Sequence, residues 1–224
     1  MISENLLKIK SELPGHVRLI AVSKTHPTES IMEAYQAGQK AFGENRVQEL
    51  IQKFPELPKD VEWHLIGHLQ TNKVKTVISK VALIHSVDSE KLLNMINIEA
   101  GKQNIAVNCL LQFHIATEET KYGLDLQEAI SLLETFKQNV NQHAIICGVM
   151  GMATFTDDVR LIRSEFRTLR SYFDTLKSQY FTDDERFNEI SMGMSDDYRI
   201  AIEEGSTMVR IGSSIFGERE NLKI

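Results

Sequence analysis

The sequence lacks the features that identify several large classes of protein. Its apolar runs fall well short of the ~20 residues that a membrane-spanning helix needs, and the polar stretch after Met1 predicts no signal peptide. Its 25 lysines and arginines are outnumbered by 31 acidic residues, and the formal net charge of −6 argues against a general nucleic-acid-binding protein. The two cysteines, Cys109 and Cys147, lie in predicted core strands without metal-site spacing. We therefore expect reduced, buried thiols in a cytoplasmic protein.

Linkers and low-complexity segments are also missing, and short apolar runs alternate with helical patterns along the chain. Eight runs are predicted as strands: 18–23, 40–43, 61–66, 81–87, 106–114, 144–148, 187–192 and 208–211. The clearest helix is predicted over 159–180, where apolar residues recur at spacings of three and four. Eight strand–helix units predict an α/β fold, a single closed (β/α)₈ barrel domain over residues 1–224. An open doubly wound sheet is the alternative.

Lys24 is the most informative residue of the sequence. It follows the apolar run 19–23, at the point where the first predicted strand opens into a loop, and a helix capped by Thr28 is predicted next. Burial of a lysine disfavours its charged form and leaves an amine that attacks carbonyl groups. The alternative is a structural lysine whose ammonium extends into water.

Two loops that follow the seventh and eighth strands have the composition of phosphate-binding loops. They are 193–197, which contains Ser195, and 212–214, which begins with Gly212 and Ser213. In (β/α)₈ barrels these two positions often bind phosphate, because glycine allows close approach of backbone N–H groups to an anion. Neither loop matches a nucleotide-binding fingerprint. Each loop alone is better explained as an ordinary turn, but together with Lys24 the two loops predict a small phosphorylated carbonyl ligand.

Two further polar residues are candidates for the same site. Arg210 lies within the apolar run 208–211, and strand alternation directs it into the barrel if its neighbours pack outward. We expect it to meet a ligand, the alternative being a salt bridge to a buried carboxylate. Asn45, after the second strand, either faces the pocket or caps the next helix.

Other patterns carry less weight. His64 and His68 are four residues apart, a spacing that suits a metal site on a helix, but they are predicted in a strand and after Gly67, so no metal site is expected. Four arginines share one face of the 159–180 helix: Arg160, Arg163, Arg167 and Arg170. Such a face is usually solvated, and docking of an anionic partner is the alternative.

Six segments, in order along nearly the whole chain, resemble a known family. They are 21–25 (AVSKT), 42–49 (FGENRVQE), 63–70 (WHLIGHLQ), 85–88 (HSVD), 191–197 (SMGMSDD) and 209–213 (VRIGS). With these segments the sequence resembles the pyridoxal 5′-phosphate homeostasis proteins, which are single-domain relatives of the alanine racemase barrel. The resemblance implies a fold-type III barrel that binds pyridoxal phosphate.

The resemblance also implies a role for each candidate residue. Lys24 is implied to form a Schiff base with pyridoxal 5′-phosphate, and Ser195 and the 212–213 backbone to hold the phosphate. Arg210 is implied to face the pyridine nitrogen, and Asn45 to line the pocket. The sequence departs from the family at His26, where a second lysine is common, and this removes support for any secondary site that needs a basic residue there. The segment 113–115 (FHI) likewise replaces a usual Val-Asn-Ile.

The implied function is non-catalytic: the protein holds the cofactor and takes part in intracellular pyridoxal phosphate homeostasis, as a monomer that could serve apo-enzymes. The rival hypotheses are an amino-acid racemase with the same cofactor and a Schiff-base aldolase without one. In the racemases the second acid–base group is a tyrosine from a further domain, which we expect this chain to lack. Tyr122, after the fifth strand, is the remaining candidate for that group.

Overall fold

Eight parallel strands form a closed barrel in the computed structural model, which describes residues 1–117, 122–139 and 141–217. The strands lie in sequence order, and the last pairs with the first. They are β1 (Arg18–Val22), β2 (Ala41–Glu44), β3 (Glu62–Leu65), β4 (Leu83–Val87), β5 (Val107–Phe113), β6 (Ala144–Gly151), β7 (Glu189–Ser191) and β8 (Met208–Ile211). The predicted (β/α)₈ barrel is confirmed, and the open doubly wound sheet is wrong.

Helices surround the barrel, and none in the described part of the chain is long and apolar enough to cross a membrane. They are α1 (Ile2–Glu12), α2 (Thr28–Gln36), α3 (Val47–Lys53), α4 (Val74–Val77), α5 (Glu90–Gln103), α6 (Leu126–Phe136), α7 (Val159–Tyr180), α8 (Tyr198–Glu203) and α9 (Ser213–Phe216). Side-chain caps fix the starts of α5, α6 and α7, where Ser89, Asp125 and Asp158 accept backbone N–H groups.

Alternation along β8 places its side chains on two sides of the sheet. Val209 and Ile211 belong to the large core between strands and helices. Met208 belongs to a smaller cluster whose buried members all lie on strands, which identifies it as the interior of the barrel. Arg210, two residues along from Met208, shares the inward side. The expectation that Arg210 enters the barrel is therefore confirmed.

The start of α2 corrects one local prediction. Thr28 is the first residue of the helix, Pro27 occupies the capping position, and no side-chain cap is made. The Thr28 hydroxyl donates instead to Glu56 Oε2 at 2.9 Å. Threonine was a reasonable cap by residue type, but the proline before it already sets the entry into the helix.

The arginine face of α7 is largely neutralised within the chain. Arg163 pairs with Glu203 and Glu204, and Arg167 also pairs with Glu204, so two arginines bind the acidic end of α8. Arg170 pairs with Asp174 one turn along its own helix. These contacts join α7 to α8 and pair three of the four arginines of this face with carboxylates of the same chain.

Candidate functional site

A cavity of about 460 Å³ opens at the carboxyl ends of the strands. This is the end of a (β/α)₈ barrel at which ligands and catalytic groups are found. All six candidate residues line it: Lys24, Asn45, Ser195, Arg210, Gly212 and Ser213. The fold thus brings together residues from loops that are up to 189 positions apart in the sequence (24 to 213).

Lys24 lies two residues beyond the end of β1 and is half-buried. Its neighbour Ser23 is fully buried, and its other neighbour Thr25 has a left-handed backbone with φ of 69°. A β-branched residue rarely adopts this conformation. The backbone on both sides of Lys24 is therefore constrained, although Lys24 lies in a loop.

The two predicted phosphate loops touch each other. Ser195 Oγ accepts a hydrogen bond from the Gly212 backbone N–H at 3.4 Å and lies 3.1 Å from Ser213 Oγ. A Cβ atom on Gly212 would lie 3.2 Å from the carbonyl oxygen of Val22, so a side chain there would crowd β1. The loops thus present two hydroxyls and a backbone N–H in one small region, a donor set that suits a phosphate.

Arg210 lies in the floor of the cavity with an exposed fraction of 4%. Its guanidinium donates to Ser191 Oγ at 2.6 Å and to the Gly151 carbonyl oxygen at 3.0 Å. Burial lowers its pKa to about 10, which still leaves it charged at neutral pH. Within the described ranges no carboxylate lies within salt-bridge distance of Arg210, so the direct salt bridge of the structural alternative is not made. The buried carboxyl of Asp197 acts on the charge of Arg210 from further away.

A chain of buried hydrogen bonds continues from Arg210 into the barrel. Ser191 Oγ lies 3.0 Å from His85 Nδ1, and His85 Nε2 lies 2.8 Å from His64 Nδ1. Arginine only donates, so the Ser191 proton points to His85 Nδ1, and His85 in turn donates to His64. His64 Nε2 is then a buried N–H without a partner among the described residues.

Both buried histidines are held in their neutral form. Burial lowers the pKa of His64 to about 3, with a further contribution from the charge of Arg18. Burial also holds the pKa of His85 well below its usual range, and His64 and Arg210 add to the effect. Protonation of either ring would place a second charge in the interior that already contains a guanidinium.

His68 and Tyr122 form the opposite rim of the cavity. Their rings stack with centroids 4.9 Å apart, and His68 Nδ1 lies 3.1 Å from Asp88 Oδ2. His68 is exposed, whereas His64 is inside the barrel, so the two histidines do not face a common point. In the described ranges no group of three or more potential ligands is arranged to hold a metal ion.

Asn45 lies at the cavity and does not cap the next helix. The capping position of α3 is occupied by Arg46, and no side-chain cap is made there. Of the two alternatives for Asn45, the position facing the pocket is the observed one.

Sequence reasoning missed Ser191 and His85, which together support Arg210. A signal was present, because both are polar residues within short runs that the sequence predicts as buried strands. It also missed Gln112, which is buried under the rim and donates to the Tyr122 carbonyl oxygen at 2.9 Å.

Comparisons with known proteins identify the family of this chain. The family model described as "Alanine racemase, N-terminal domain" matches residues 1–220. The "Pyridoxal phosphate homeostasis protein" of Aquifex aeolicus is 42% identical, over 91% of this chain and 87% of its own. The chain belongs to the pyridoxal phosphate homeostasis protein family. The other members of this family extend from bacteria such as Pasteurella multocida, at 40% identity over 92% of this chain and 88% of its own, to the mouse.

Solved structures show the same barrel. PipY of Synechococcus elongatus PCC7942, 38% identical, superposes with a TM-score of 0.90 without pyridoxal phosphate and 0.87 with it bound, over 97% of this chain and 100% of that one. Alanine racemase of Clostridium difficile 630 is 14% identical with a TM-score of 0.76, over 100% of this chain and 58% of that one. The likeness to the racemase shows a shared fold and nothing further.

The buried histidines predict a specific dependence of stability on pH. The free energy of unfolding should fall as the pH drops below about 6.5, because the unfolded chain binds protons at His64 and His85 that the folded barrel excludes. Each histidine should contribute a slope of about 1 kcal/mol per pH unit between that pH and its folded pKa. His64→Gln should remove its share, as measured by urea denaturation between about pH 7.5 and pH 5. The exposed His16→Gln is the control, and an unchanged slope in His64→Gln would contradict the prediction.

Proposed function

We propose that this protein binds pyridoxal 5′-phosphate in the cavity at the strand ends and takes part in its intracellular homeostasis. The observation that carries the proposal is the convergence of Lys24, Arg210 and the two touching serine–glycine loops on one cavity. The PipY structure with pyridoxal phosphate bound, at 38% identity over 97% of this chain, supports the same cofactor. The proposal treats residues 1–224 as one domain.

The residues at the cavity fit this cofactor. Ser195, Gly212 and Ser213 offer hydrogen-bond donors to a phosphate at one end, and the crowding at Gly212 excludes a side chain from that end. Arg210 offers a charged donor in the floor for a ring nitrogen that accepts. The cavity of about 460 Å³ is of the size of small-molecule sites. Asn45 contributes to the wall.

Lys24 is the residue proposed to hold the cofactor covalently. It is the one lysine among the described residues that line the cavity. When bound, pyridoxal phosphate supplies an aldehyde that condenses with an amine, and its ring withdraws electrons. The Lys24 amine forms a C=N bond to the aldehyde carbon, and the oxygen leaves as water. A second amine can later displace Lys24, which is the chemistry needed to store the cofactor and pass it on.

Arg210 favours binding of the cofactor without catalysis. A charged guanidinium at the ring nitrogen disfavours protonation there, because two positive charges would meet. An unprotonated ring is a weaker electron sink, so the formation of a carbanion next to the attached amine is slow. This property supports a carrier, and pyridoxal-phosphate-dependent apo-enzymes are the partners that we propose for it.

The racemase hypothesis needs a second acid–base group, and Tyr122 is the candidate. Of the five tyrosines it alone lines the cavity. It is 64% exposed and its ring stacks on that of His68. A proton exchanged with solvent at this rim is a poor replacement for a group fixed against the substrate.

The proposal includes a monomeric protein in the cytoplasm. The thiols of Cys109 and Cys147 support a reducing compartment, because both are free and buried. Burial raises the pKa of each thiol, that of Cys147 to about 11, so neither is reactive at neutral pH.

The first test concerns Lys24. Borohydride reduction of the cofactor-loaded protein, followed by peptide mass mapping, should place the pyridoxyl phosphate adduct on Lys24. Lys24→Ala should lose the absorbance of the bound cofactor, while Lys8→Ala, an exposed lysine on α1, should keep it. An adduct elsewhere, with Lys24→Ala still yellow, would show that the assignment is wrong. A wild-type protein that never acquires the absorbance would favour a cofactor-free aldolase.

The second test concerns Arg210. Arg210→Glu should favour protonation of the bound ring and change the absorption spectrum, whereas Arg210→Lys, which introduces no carboxylate, should change the spectrum less. Spectra and thermal melts of both variants are the measurements. If Arg210 were structural only, Arg210→Glu would lower stability by about 3–5 kcal/mol and leave the spectrum of the bound cofactor unchanged.

The third test concerns catalysis. The loaded protein should exchange the α-proton of L-alanine at least about 100-fold more slowly than a racemase, since the loss of a positioned acid–base group costs about 10²- to 10⁴-fold. Exchange in deuterated water, followed by NMR together with the enantiomer ratio, is the measurement. Rapid exchange with inversion, abolished by Tyr122→Phe, would make the protein an enzyme.

A further inference from the structure

One buried ammonium lies beneath the loop that carries Lys24. Lys53, the last residue of α3, has an exposed fraction of 7%. Its Nζ donates to the Ser23 carbonyl oxygen at 2.9 Å, to Glu44 Oε1 at 2.8 Å and to Glu49 Oε1 at 2.7 Å. An ammonium has three protons, so these three acceptors use all of them.

The same network reaches the other side of Lys24. Glu49 Oε1, which binds Lys53, also accepts the Thr25 backbone N–H at 2.5 Å. The Ser23 carbonyl belongs to the peptide group before Lys24, and the Thr25 N–H belongs to the peptide group after it. Both peptide groups that join the Cα of Lys24 are therefore tied to one ion pair on α3.

The backbone at Thr25 needs such a restraint. Its φ of 69° is unfavourable for a β-branched residue, and such a conformation persists only where the surrounding structure holds it. The carboxylate of Glu49 supplies the charge-assisted hydrogen bond at that N–H. The Ser23 carbonyl oxygen also accepts the His26 backbone N–H at 3.1 Å, which closes a turn through Lys24 and Thr25, and Lys24 on this turn lines the cavity.

Stability alone is a poor explanation for these charges. Glu44 is fully buried, and its Oε2 has no partner among the described residues, although Oε1 accepts from Ser23 Oγ at 2.6 Å. Burial raises the pKa of Glu44, and Lys53 opposes the shift. Buried ion pairs are often no more stabilising than apolar residues of the same size. A fixed backbone conformation at Lys24 explains why the chain keeps these buried charges despite the free-energy cost of their desolvation.

We propose that Glu49 and Lys53 are positioning residues that fix the backbone of Lys24 so that its amine meets the cofactor. This inference rests on the proposed function in one respect, that Lys24 is the residue which binds the cofactor. We call Glu49 and Lys53 the clamp. Without the clamp, Thr25 relaxes to negative φ and the Lys24 side chain loses its fixed direction, so the C=N bond forms less readily.

The test compares three substitutions on α3. Glu49→Ala removes the acceptor for Thr25, Glu49→Gln keeps an oxygen acceptor, and Gln52→Ala changes an exposed residue of the same helix. Glu49 is half-buried, so its variants are expected to fold. In the cofactor-free protein, hydrogen exchange of the Thr25 amide, measured by NMR, should speed up about tenfold or more in Glu49→Ala only.

Titration with pyridoxal phosphate, followed by absorbance, gives the second readout. Glu49→Ala should bind about tenfold more weakly, while Glu49→Gln and Gln52→Ala should stay within about threefold of the wild type. Adding Thr25→Gly to Glu49→Ala should restore most of the affinity, because glycine adopts positive φ without a restraint. That rescue separates a backbone effect from a loss of charge.

The outcomes separate this inference from the proposed function. If the wild type binds the cofactor and Glu49→Ala binds equally well, the clamp is wrong and the function stands. The clamp is also wrong if Thr25 exchange is unchanged in Glu49→Ala, or if Thr25→Gly fails to rescue the affinity. If the wild type binds no pyridoxal phosphate while its Lys24 amine remains intact, the proposed function is wrong, and the positioning role is wrong with it.

Discussion

Arg210 keeps a positive charge inside a closed barrel, and the polar interior is arranged around that charge. Ser191 and the Gly151 carbonyl satisfy two of its donors, and His85 accepts from Ser191 in turn. The histidines stay neutral because a further charge in this volume would be repelled as well as desolvated. Removing a partner from such a group costs more than the bond itself contributes, so the chain of hydrogen bonds fixes where the guanidinium points.

The parallel barrel explains how residues that are far apart in the sequence form one site. All strands end on the same side, so short loops after β1, β2, β7 and β8 meet at one cavity although they come from both ends of the sequence. Strand ends are rigid, whereas loops are not, and Lys24 lies in a loop. The ion pair of Glu49 and Lys53 on α3 restrains this loop, because it binds the backbone on both sides of Lys24 to a helix. The floor and the lysine are thus held by separate polar networks.

Much of the fold was predictable because its signal is local. Eight apolar runs gave eight strands, and the helix predicted over 159–180 has the observed bounds. Boundaries were less accurate where neighbours decide them: β6 extends to Gly151, three residues beyond the prediction, because β5 continues to pair with it. The cap at Thr28 was wrong since its hydroxyl bonds Glu56, a residue 28 positions away.

The residues that line the site were predictable from the sequence, but the residues that hold them in position were not. Lys24 and Arg210 are conspicuous because burying a charge is costly, and in the sequence each stands within or directly after an apolar run. Lys53 and Glu49, in contrast, look like an ordinary i,i+4 pair on a helix. Their contacts with Ser23 and Thr25 depend on how α3 packs against the barrel, and no pattern within α3 reports that packing. Supports of this kind become visible only once the tertiary structure is known.

A racemase and a cofactor carrier share this barrel, so the fold does not separate them. Two features of the site favour the carrier that we propose. A racemase needs a fixed acid–base group on each face of the substrate, and at this cavity Tyr122 lies exposed at the rim. A carrier needs a lysine with a fixed position and a cofactor ring with low reactivity. In the function that we propose, the Glu49–Lys53 clamp beneath Lys24 supplies the first, and the charge of Arg210, placed at the ring nitrogen, supplies the second. Under the proposed function, a guanidinium that makes the bound ring a weak electron sink suits a protein that holds the cofactor unchanged.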